Sequence, residues 1–352
     1  MHTYFYHNSK PYYQEHSDIN SNARAKVKDF TLTALCLSKT QDIVQISPGK
    51  KSDYEWLKQH YKACGLSVSQ NIFYADQQQT LPNGFELSNY SKKNDSFAAA
   101  YFDNKKNFLQ FAKKHGVEHP NTTYYDCVTQ IKCIDRPVML KTNTSSAGSG
   151  NYYVQSLACL KSIPTHTPLH VQELIEDIQS SLSLQYEITS QGYTFIGATT
   201  MFINEDFSWA GCCPARIDKH TLTQYNHLVK GLYKQGLRGP LSLDLLQRDS
   251  GKFAVLECNP RFGGSTYPCM LAHRLNITQW VYRKFRVKTL KQIESVNKSH
   301  NIFYSPKTQK GIIVVHWETK KQDLDCNILI AGNHSEQREI IDILHKHQIR
   351  LL

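Results

Sequence analysis

The sequence predicts an α/β (α+β) protein that begins with a small parallel-sheet domain. Short apolar strands alternate with helices in the first 95 residues, which is typical of a parallel sheet. From about residue 180 onward, successive strands favour an antiparallel sheet. With 352 residues, the chain is long enough for several structural units. The predicted parts are 1–95, 96–180, 181–287 and 288–352.

The N-terminal domain shows helix and strand signals that end at turn residues. Its predicted elements are a helix over 25–37, a strand over 42–46, a helix over 53–64 and a loop over 76–95. Asp53 is predicted as the N-cap of the second helix, and Gly65 as its C-terminal stop. These residues point to no chemistry of their own.

Composition argues against several classes of protein. The N-terminus lacks the apolar segment of a signal peptide, and no apolar run approaches the length that spans a bilayer. The ten cysteines form no C-x-x-C pair, so we expect reduced thiols in a cytoplasmic protein. The net charge of +11 is spread along the chain, which favours a basic surface and a pocket for an acidic ligand. We therefore expect neither a nucleic-acid partner nor a membrane.

The stretch 241–268 carries the clearest chemical signal. It predicts two short strands joined by a turn, and their pairing brings Asp244 near Glu257 and Asn259. Two carboxylates and an amide oxygen suit Mg²⁺, with Mn²⁺ as an alternative. An ordinary hairpin with surface acids would explain Asp244 alone. Three polar residues ending an apolar strand instead favour a bound ligand.

Donors for an anion follow directly after these acids. Arg261 lies two residues beyond Asn259, on the same side of an extended segment, where its guanidinium can clamp a phosphoryl group. Gly263, Gly264 and Ser265 offer backbone N–H groups where the chain enters a helix. This part of the chain is therefore predicted to bind a metal and a phosphate together.

A lysine and a flexible loop lie upstream. Lys141 ends a strand predicted over 137–141, from which its ammonium group can reach phosphate oxygens. The loop 145–150 is small and rich in N–H groups, so it can close over phosphates. It lacks the residue order of a P-loop, and a plain linker is the alternative for the loop alone.

Asp244, the E-x-N-P-R motif at 257–261 and the G-G-S at 263–265 resemble the metal-binding end of the ATP-grasp superfamily. The resemblance covers roughly residues 97–285. It implies the ATP-grasp fold, in which two α+β subdomains, here 96–180 and 181–287, sandwich ATP. Residues 1–95 then form the domain that precedes many ATP-grasp cores, and 288–352 a small C-terminal extension.

The resemblance also implies roles for individual residues. Lys105, in a helix predicted over 104–114, is the first nucleotide-contacting lysine, with Lys106 as the competitor, and Lys141 is the second. The loop over the phosphates comprises Ser145, Ser146, Gly148, Ser149 and Gly150. The hinge that holds adenine comprises Gln172, Glu173, Leu174 and Ile175. For the ribose contact the candidates are Gln179 or Ser180, with Glu176 or Asp177 as substitutes.

The remaining elements complete the predicted architecture. Strands are predicted over 169–175, 185–190, 193–200, 201–203, 311–316 and 326–330. Helices are predicted over 225–235, 269–274 and 335–347, with another beginning at 278–285, and 288–310 is predicted as a linker. Arg216 and Lys219 are the candidate cations for the γ-phosphate or a substrate carboxylate, with a surface ion pair as the alternative.

The activity implied by the resemblance is that of an ATP-dependent ligase. Mg²⁺ is then held by Asp244, Glu257 and Asn259, and the catalytic residues are Arg261, Arg216 and Lys141. A substrate carboxylate becomes an acylphosphate and is joined to an amine of the amino acid or small peptide class. Alternatives are a thiol acceptor, or a non-catalytic or regulatory ATP-binding protein. The partners are ATP and small carboxylate and amine substrates, and a homodimer is left open.

Overall fold

The described part of the protein forms two compact units. A computed structural model describes residues 3–6, 32–47, 49–74, 86–89, 97–143, 150–163 and 168–352. The first unit comprises Met1–Asn94, Ala210–Pro214 and Arg261–Leu352, and the second comprises Asp95–Trp209 and Ala215–Pro260. Parallel and antiparallel sheets occur together with helices, which confirms the predicted fold class. The finer division into four parts stays a prediction.

The first unit begins with a parallel sheet. Its strands are β1 (Thr3–Tyr6), β2 (Ile43–Ile46), β3 (Asn71–Tyr74) and β4 (Glu86–Asn89), in the order β3-β2-β1-β4. These strands pair in parallel, as predicted. Helix α1 (Lys51–Ala63) connects β2 to β3 and buries Tyr54, Leu57 and Tyr61, which recur at helical spacing.

Three details of this region differ from the predictions. Thr33–Leu37 is a 3-10 helix, and the part of the predicted helix before residue 32 lies outside the described residues. Lys50 rather than Asp53 is the N-cap of α1, and Asp53 pairs with the Lys50 ammonium at 3.0 Å. β4 occupies part of the predicted loop 76–95, because its pairing with β1 depends on contacts distant in sequence.

The second unit begins with two helices and a small antiparallel sheet. The helices are α2 (Phe97–Asp103) and α3 (Lys105–Lys114). The strands are β5 (Thr122–Tyr125), β6 (Val138–Thr142), β7 (Asn151–Val154) and β8 (Leu169–Glu173), in the order β5-β8-β6-β7. Short 3-10 helices cover Val128–Gln130 and Leu157–Ser162. A small core that includes Leu140, Val154 and Leu169 holds this sheet together.

A larger antiparallel arrangement follows in the second unit. Its strands are β9 (Ile178–Ile188), β10 (Tyr193–Ile203), β12 (Gly239–Arg248) and β13 (Phe253–Asn259). They lie in the order β13-β12-β9-β10. Strand β11 (Trp209–Ala215) contains residues of both units, and helix α4 (Lys219–Lys234) precedes β12. The predicted strands 193–200 and 201–203 are one continuous strand.

Strands β9 and β12 of this larger sheet each have one mainly apolar and one mainly polar face. Alternating leucines, such as Leu182 and Leu184 on β9 and Leu243 on β12, enter a core with Phe108 of α3 and Leu228 of α4. Because successive side chains of a strand point to opposite faces, the residues between these leucines share the other face. That other face carries the candidate site.

The first unit closes with a mixed region after residue 260. Its elements are helix α5 (Thr266–Arg274), β14 (Trp280–Val287), helix α6 (Leu290–His300), β15 (Gly311–Thr319), β16 (Leu324–Ala331), helix α7 (His334–Lys346) and β17 (Arg350–Leu351). β14 pairs with β16, and β16 with β15, in antiparallel ladders. A capping box between Asn333 and Glu336 starts α7.

Two predictions for this region are wrong. Residues 280–287 form a strand rather than the start of a helix. The spacing of their apolar residues fits a helix as well as a strand, and pairing with β16 along the whole length of β14 decides for the strand. The predicted linker 288–310 contains α6, whose buried side chains are Ile293 and Val296. Within the described ranges, no helix is both long and apolar enough to cross a membrane.

Candidate active site

Two carboxylates face each other on neighbouring strands of the second unit. In the β12–β13 ladder, Asp244 pairs with Glu257, and Ser242 pairs with Asn259. Residues opposite each other in a ladder place their side chains on the same face. Asp244, Glu257 and Asn259 therefore share one face, which is the proximity expected from the sequence.

The side-chain amide of Asn259 joins these two carboxylates. Its Nδ2 donates to Asp244 Oδ2 at 2.9 Å and to Glu257 Oε1 at 3.2 Å. Two neighbouring carboxylates repel each other unless a donor or a cation lies between them, and the amide hydrogens occupy that place. The group contains just two carboxylates, and no cluster of three or more His, Cys, Asp or Glu among the described residues could hold a metal.

The donor chemistry of the group nevertheless suits a hard divalent cation. Asp244 and Glu257 supply carboxylate oxygens, and Asn259 can supply its amide oxygen if the amide turns by half a revolution. Mg²⁺ and Mn²⁺ prefer such oxygen ligands. These residues therefore fit the predicted cation, and their role as its ligands stays a prediction.

Lys105 neutralises one of the two carboxylates. Its ammonium lies 3.1 Å from Glu257 Oε2, with 5% of the Lys105 side chain exposed against 28% of Glu257. The side chain of Asn104 caps α3, so Lys105 is the first helical residue. Lys106 points elsewhere, with its ammonium 5.4 Å from the centroid of the Tyr124 ring. This geometry favours Lys105 over Lys106 as the lysine of the site.

Lys141 approaches the same charges from β6. Burial lowers the pKa of Lys141 from 10.5 to about 8, while Glu257 raises it, Lys105 lowers it and Asp244 raises it. Two lysines and two carboxylates thus act on one another's charge in this part of the second unit. The lysines of this region can bind an anionic ligand, and its carboxylates can bind a cation.

His170 is a buried residue of this region that the sequence analysis missed. It lies opposite Lys141 in the β6–β8 ladder, and its Nδ1 is 3.0 Å from Asn143 Oδ1. Burial, followed by the charges of Lys141 and Lys105, lowers the pKa of His170 to about 3. The backbone carbonyl of Asn143 accepts the Lys105 N–H at 3.1 Å. His170 and Asn143 thus connect the strand of one lysine to the helix of the other.

The predicted adenine hinge lies at the end of β8 and the connection to β9. Gln172 is buried and donates to Thr122 Oγ1 at 3.3 Å. Glu173 Oε2 accepts from Asn121 Nδ2 at 2.8 Å. Leu174 and Ile175 follow the last residue of β8. The side chains of Gln172 and Glu173 are thus engaged with β5 and the chain before it, and adenine contact at this hinge stays a prediction.

The predicted phosphate loop falls mostly outside the described residues. Ser145, Ser146, Gly148 and Ser149 lie outside them. Gly150 has a φ of +77°, which favours glycine, and its carbonyl oxygen accepts the Thr142 N–H at 3.0 Å. The described end of the loop is therefore anchored to β6, the strand that carries Lys141.

The ribose candidates differ in the hydrogen bonds that their side chains already make within the protein. Both oxygens of Asp177 accept from Arg248 Nε at 3.1 Å, which lowers the pKa of Asp177. Ser180 Oγ donates to Gln247 Oε1 at 2.8 Å. Gln179 lies at a register shift of the β9–β12 ladder and is exposed. These contacts favour Gln179 over Asp177 and Ser180 as the ribose contact.

The two predicted catalytic arginines lie in different units. Arg216 follows β11 in the second unit, is exposed and makes no ion pair within the described part of the chain. Arg261 follows β13 by two residues, is buried and belongs to the first unit. Neither position tests a catalytic role, so both assignments stay predictions.

The matched family supports the resemblance seen in the motifs. Residues 102–265 match the ATP-grasp domain family, and no curated protein matches the chain. This segment of the chain is therefore similar to ATP-grasp domains, in agreement with the motifs. The matched segment contains the candidate lysines, the hinge and the acidic pair, and it ends at Ser265.

Solved structures share this fold at low sequence identity. N5-carboxyaminoimidazole synthetase from Staphylococcus aureus is 11% identical, with a TM-score of 0.61 over 99% of this chain and 97% of that one. N5-carboxyaminoimidazole synthase from Aspergillus clavatus, solved with ADP and 5-aminoimidazole ribonucleotide, is 13% identical, with a TM-score of 0.55 over 89% and 100%. L-amino acid ligase from Bacillus licheniformis is 9% identical, with a TM-score of 0.53 over 84% and 95%.

Proposed function

We propose that this protein is an ATP-dependent ligase that joins a carboxylate to an amine. The observation that carries the proposal is the meeting of two buried lysines with two carboxylates. Lys105 lies 3.1 Å from Glu257, and Lys141 is close enough for Glu257 and Asp244 to change its pKa. Paired cations beside paired acids suit a nucleoside triphosphate with its divalent cation, because phosphoryl transfer depends on positioning and charge.

Asp244, Glu257 and Asn259 are the residues that would hold Mg²⁺, with Mn²⁺ as an alternative. Bound there, the ion supplies Lewis acidity towards phosphate oxygens. To offer its oxygen to the ion, Asn259 would have to turn its amide by half a revolution, since its nitrogen faces the two carboxylates. If Glu257 contacted the ion instead of Lys105, the Lys105 ammonium would be available to phosphate oxygens.

The proposed chemistry proceeds in two steps. A substrate carboxylate oxygen attacks the γ-phosphorus of ATP, the bond to the bridging oxygen breaks, and ADP leaves. The amine nitrogen of the second substrate then attacks the acyl carbon, and phosphate leaves with the amine proton. We assign Lys141, Arg216 and Arg261 to the charge that develops on phosphoryl and carbonyl oxygens. The loop with Ser145 and Gly150 is proposed to exclude water from the acylphosphate.

The neighbours with this fold support the class of reaction. The Aspergillus clavatus protein was solved with ADP and a small ribonucleotide, and the Bacillus licheniformis protein is an L-amino acid ligase. We propose an amino acid or small peptide as substrate, with ATP as the third reactant. We further propose a cytoplasmic protein.

Release of ADP tests this proposal. Purified protein is incubated with ATP and a panel of carboxylates and amines, with Mg²⁺, with Mn²⁺, or with a chelator. We expect ADP and an amide product to appear together, only with a divalent cation and with both substrates present. ADP release without any amide across the panel would favour a non-ligase ATPase, and absence of ATP binding would contradict the proposal.

A further inference from the structure

Asp244 is also held from a third strand, β9, by residues to which the sequence analysis assigns no role. Ser183 Oγ, on β9, donates to Asp244 Oδ1 at 2.6 Å, and Gln185 Nε2 donates to Ser183 Oγ at 2.8 Å. The β9–β12 ladder places Ser183 directly opposite Asp244, and Gln185 opposite Ser242. Ser183 and Gln185 are 1% and 0% exposed, so water does not compete for these bonds.

The chain of hydrogen bonds fixes the direction of each proton. The amide of Gln185 can only donate through Nε2, so the Ser183 oxygen accepts one hydrogen and its own hydroxyl proton points to Asp244. A hydroxyl–carboxylate distance of 2.6 Å is typical of a bond strengthened by the acceptor's charge. The Oδ1 atom of Asp244 is therefore occupied from the β9 side.

Fixing Oδ1 determines what Asp244 presents to its other neighbours. The remaining oxygen, Oδ2, faces the Asn259 amide at 2.9 Å, and the same amide contacts Glu257. When the amide turns, Oδ2 of Asp244 and Oε1 of Glu257 are the oxygens that lose a hydrogen bond. A carboxylate held through one oxygen offers a cation the other oxygen in a set direction.

We propose that Ser183 and Gln185 are positioning residues of the divalent cation site. Ser183 holds Asp244 so that Oδ2 alone faces the cation, and Gln185 holds the Ser183 hydroxyl in the donating orientation. The proposal rests on the proposed function, because it needs a cation bound by Asp244. It assigns to Ser183 and Gln185 a share of the site for which the family motifs give no signal.

A purely structural role is the competing explanation. The two side chains would then simply satisfy each other's polar groups within a buried layer. In that case their removal lowers stability and weakens nucleotide binding with and without a cation. A positioning role instead changes the affinity for the cation and leaves cation-free nucleotide binding unchanged.

The test compares full-length variants at neighbouring positions of β9. Ser183→Ala removes the hydroxyl, whereas Ser183→Thr keeps it on a side chain that suits a strand. Ser181→Ala is the matched control, because Ser181 lies two residues before Ser183 on the same face of β9. Mn²⁺ binding in the presence of a non-hydrolysable ATP analogue is measured by electron paramagnetic resonance. Binding of the analogue in chelator is measured by calorimetry, and the Mg²⁺ activation constant is separated from kcat in ADP release.

The expected result is a cation-specific defect. Ser183→Ala weakens Mn²⁺ binding and raises the Mg²⁺ activation constant by about 10- to 100-fold, as for other residues that orient metal ligands. Ser183→Thr restores both within about 3-fold, whereas Ser181→Ala and analogue binding in chelator match the wild type. If Ser183→Ala does not fold, Ser183→Cys replaces it, with a weaker donor and a smaller shift in the same direction.

Two results would overturn the inference while leaving the ligase proposal intact. One is wild-type Mn²⁺ affinity in Ser183→Ala, and the other is an equal loss of analogue binding with and without the cation. Wild-type protein that binds the analogue but no Mn²⁺ would overturn both proposals. Wild-type protein that binds neither would contradict the ligase proposal directly, so the two failures are distinguishable.

Discussion

Lys105 Nζ lies 3.1 Å from Glu257 Oε2, so an ion pair joins the first turn of α3 to the end of β13. Replacing Glu257 by Gln removes the charge that faces an almost wholly buried ammonium group. We expect the free energy of unfolding to fall by about 1–3 kcal/mol, less than for a fully buried pair because Glu257 is partly exposed. Urea denaturation of Glu257→Gln measures this loss. An unchanged unfolding midpoint would show that the pair contributes nothing.

Asp244→Asn should abolish ATP turnover while the protein stays folded. The amide keeps the shape of the side chain and a hydrogen-bond acceptor for Ser183, but it removes the charge that a divalent cation needs. ADP release should fall by at least about 100-fold, consistent with loss of several kcal/mol of charge stabilisation. Asp249→Asn, in the turn between β12 and β13, is the matched control and should keep wild-type turnover. Retained turnover in Asp244→Asn would refute the assignment of this acid.

Lys141→Met should stabilise the ligand-free protein at neutral pH. Burial lowers the pKa of Lys141 from 10.5 to about 8, so the unfolded chain binds its proton more tightly than the folded protein does. Stability therefore rises with pH between about 8 and 10.5 in the wild type, and Lys141→Met lacks this rise. The variant should gain up to about 3 kcal/mol at pH 7 and lose that advantage by pH 10.5. Thermal unfolding across this range measures the difference, and ATP binding should weaken in the same variant.

His60 provides a pH test in the first unit. Its Nε2 accepts the Val314 N–H at 2.9 Å, and burial lowers the pKa of His60 to about 3. His60→Leu leaves that N–H without its acceptor, which should cost about 1–3 kcal/mol at pH 7.5.

Acid should reduce this cost. The folded pKa lies below the unfolded value of 6.5, so the wild-type stability from His60 is complete above pH 6.5 and is lost as pH falls. At pH 5 the wild type should have lost about 2 kcal/mol that His60→Leu keeps. Urea denaturation at both pH values measures the gap between the proteins. An equal difference in the free energy of unfolding at both pH values would mean that His60 binds its proton as readily in the folded protein as in the unfolded chain.

Gln179 is the ribose candidate that the contacts leave most accessible, whereas Arg248 engages Asp177. Gln179→Ala should weaken ATP binding by about 5- to 10-fold, the loss expected for one hydrogen bond, and should leave binding of 2′-deoxy-ATP or 3′-deoxy-ATP unchanged. Calorimetry with the three nucleotides separates the hydroxyl groups. Asp177→Asn is the comparison, and a larger ribose-dependent loss there would reverse the assignment.

The acidic pair could be predicted from the sequence because a short turn sets the register of its two strands. With Asp244 and Glu257 on either side of such a turn, few pairings place both on one face. The lysines were found through the motif order, since a lysine at a helix start is otherwise an ordinary surface residue. The structure adds that Lys105 and Lys106 differ in direction, which no pattern could distinguish.

Other features depended on contacts that lie far apart in the chain. Helix α6 escaped prediction because it buries Ile293 and Val296 among polar residues, a weak periodic signal. The predicted strand 185–190 includes Gln185 but leaves out Ser183, although β9 carries both residues on one alternation of polar and apolar residues. What the alternation could not show is which acid lies opposite, because that register is set by β12, more than fifty residues away.

In the larger sheet of the second unit, neighbouring residues of a strand belong alternately to the hydrophobic core and to the candidate site. Leu184 and Leu243 contribute to folding, while their strand neighbours Ser183 and Asp244 belong to the candidate site. Mutations that redirect specificity can therefore accumulate on one side of these strands without opening a cavity on the other. Such a scaffold is well suited to variation of the candidate site, and libraries confined to the polar positions should yield a high proportion of folded variants.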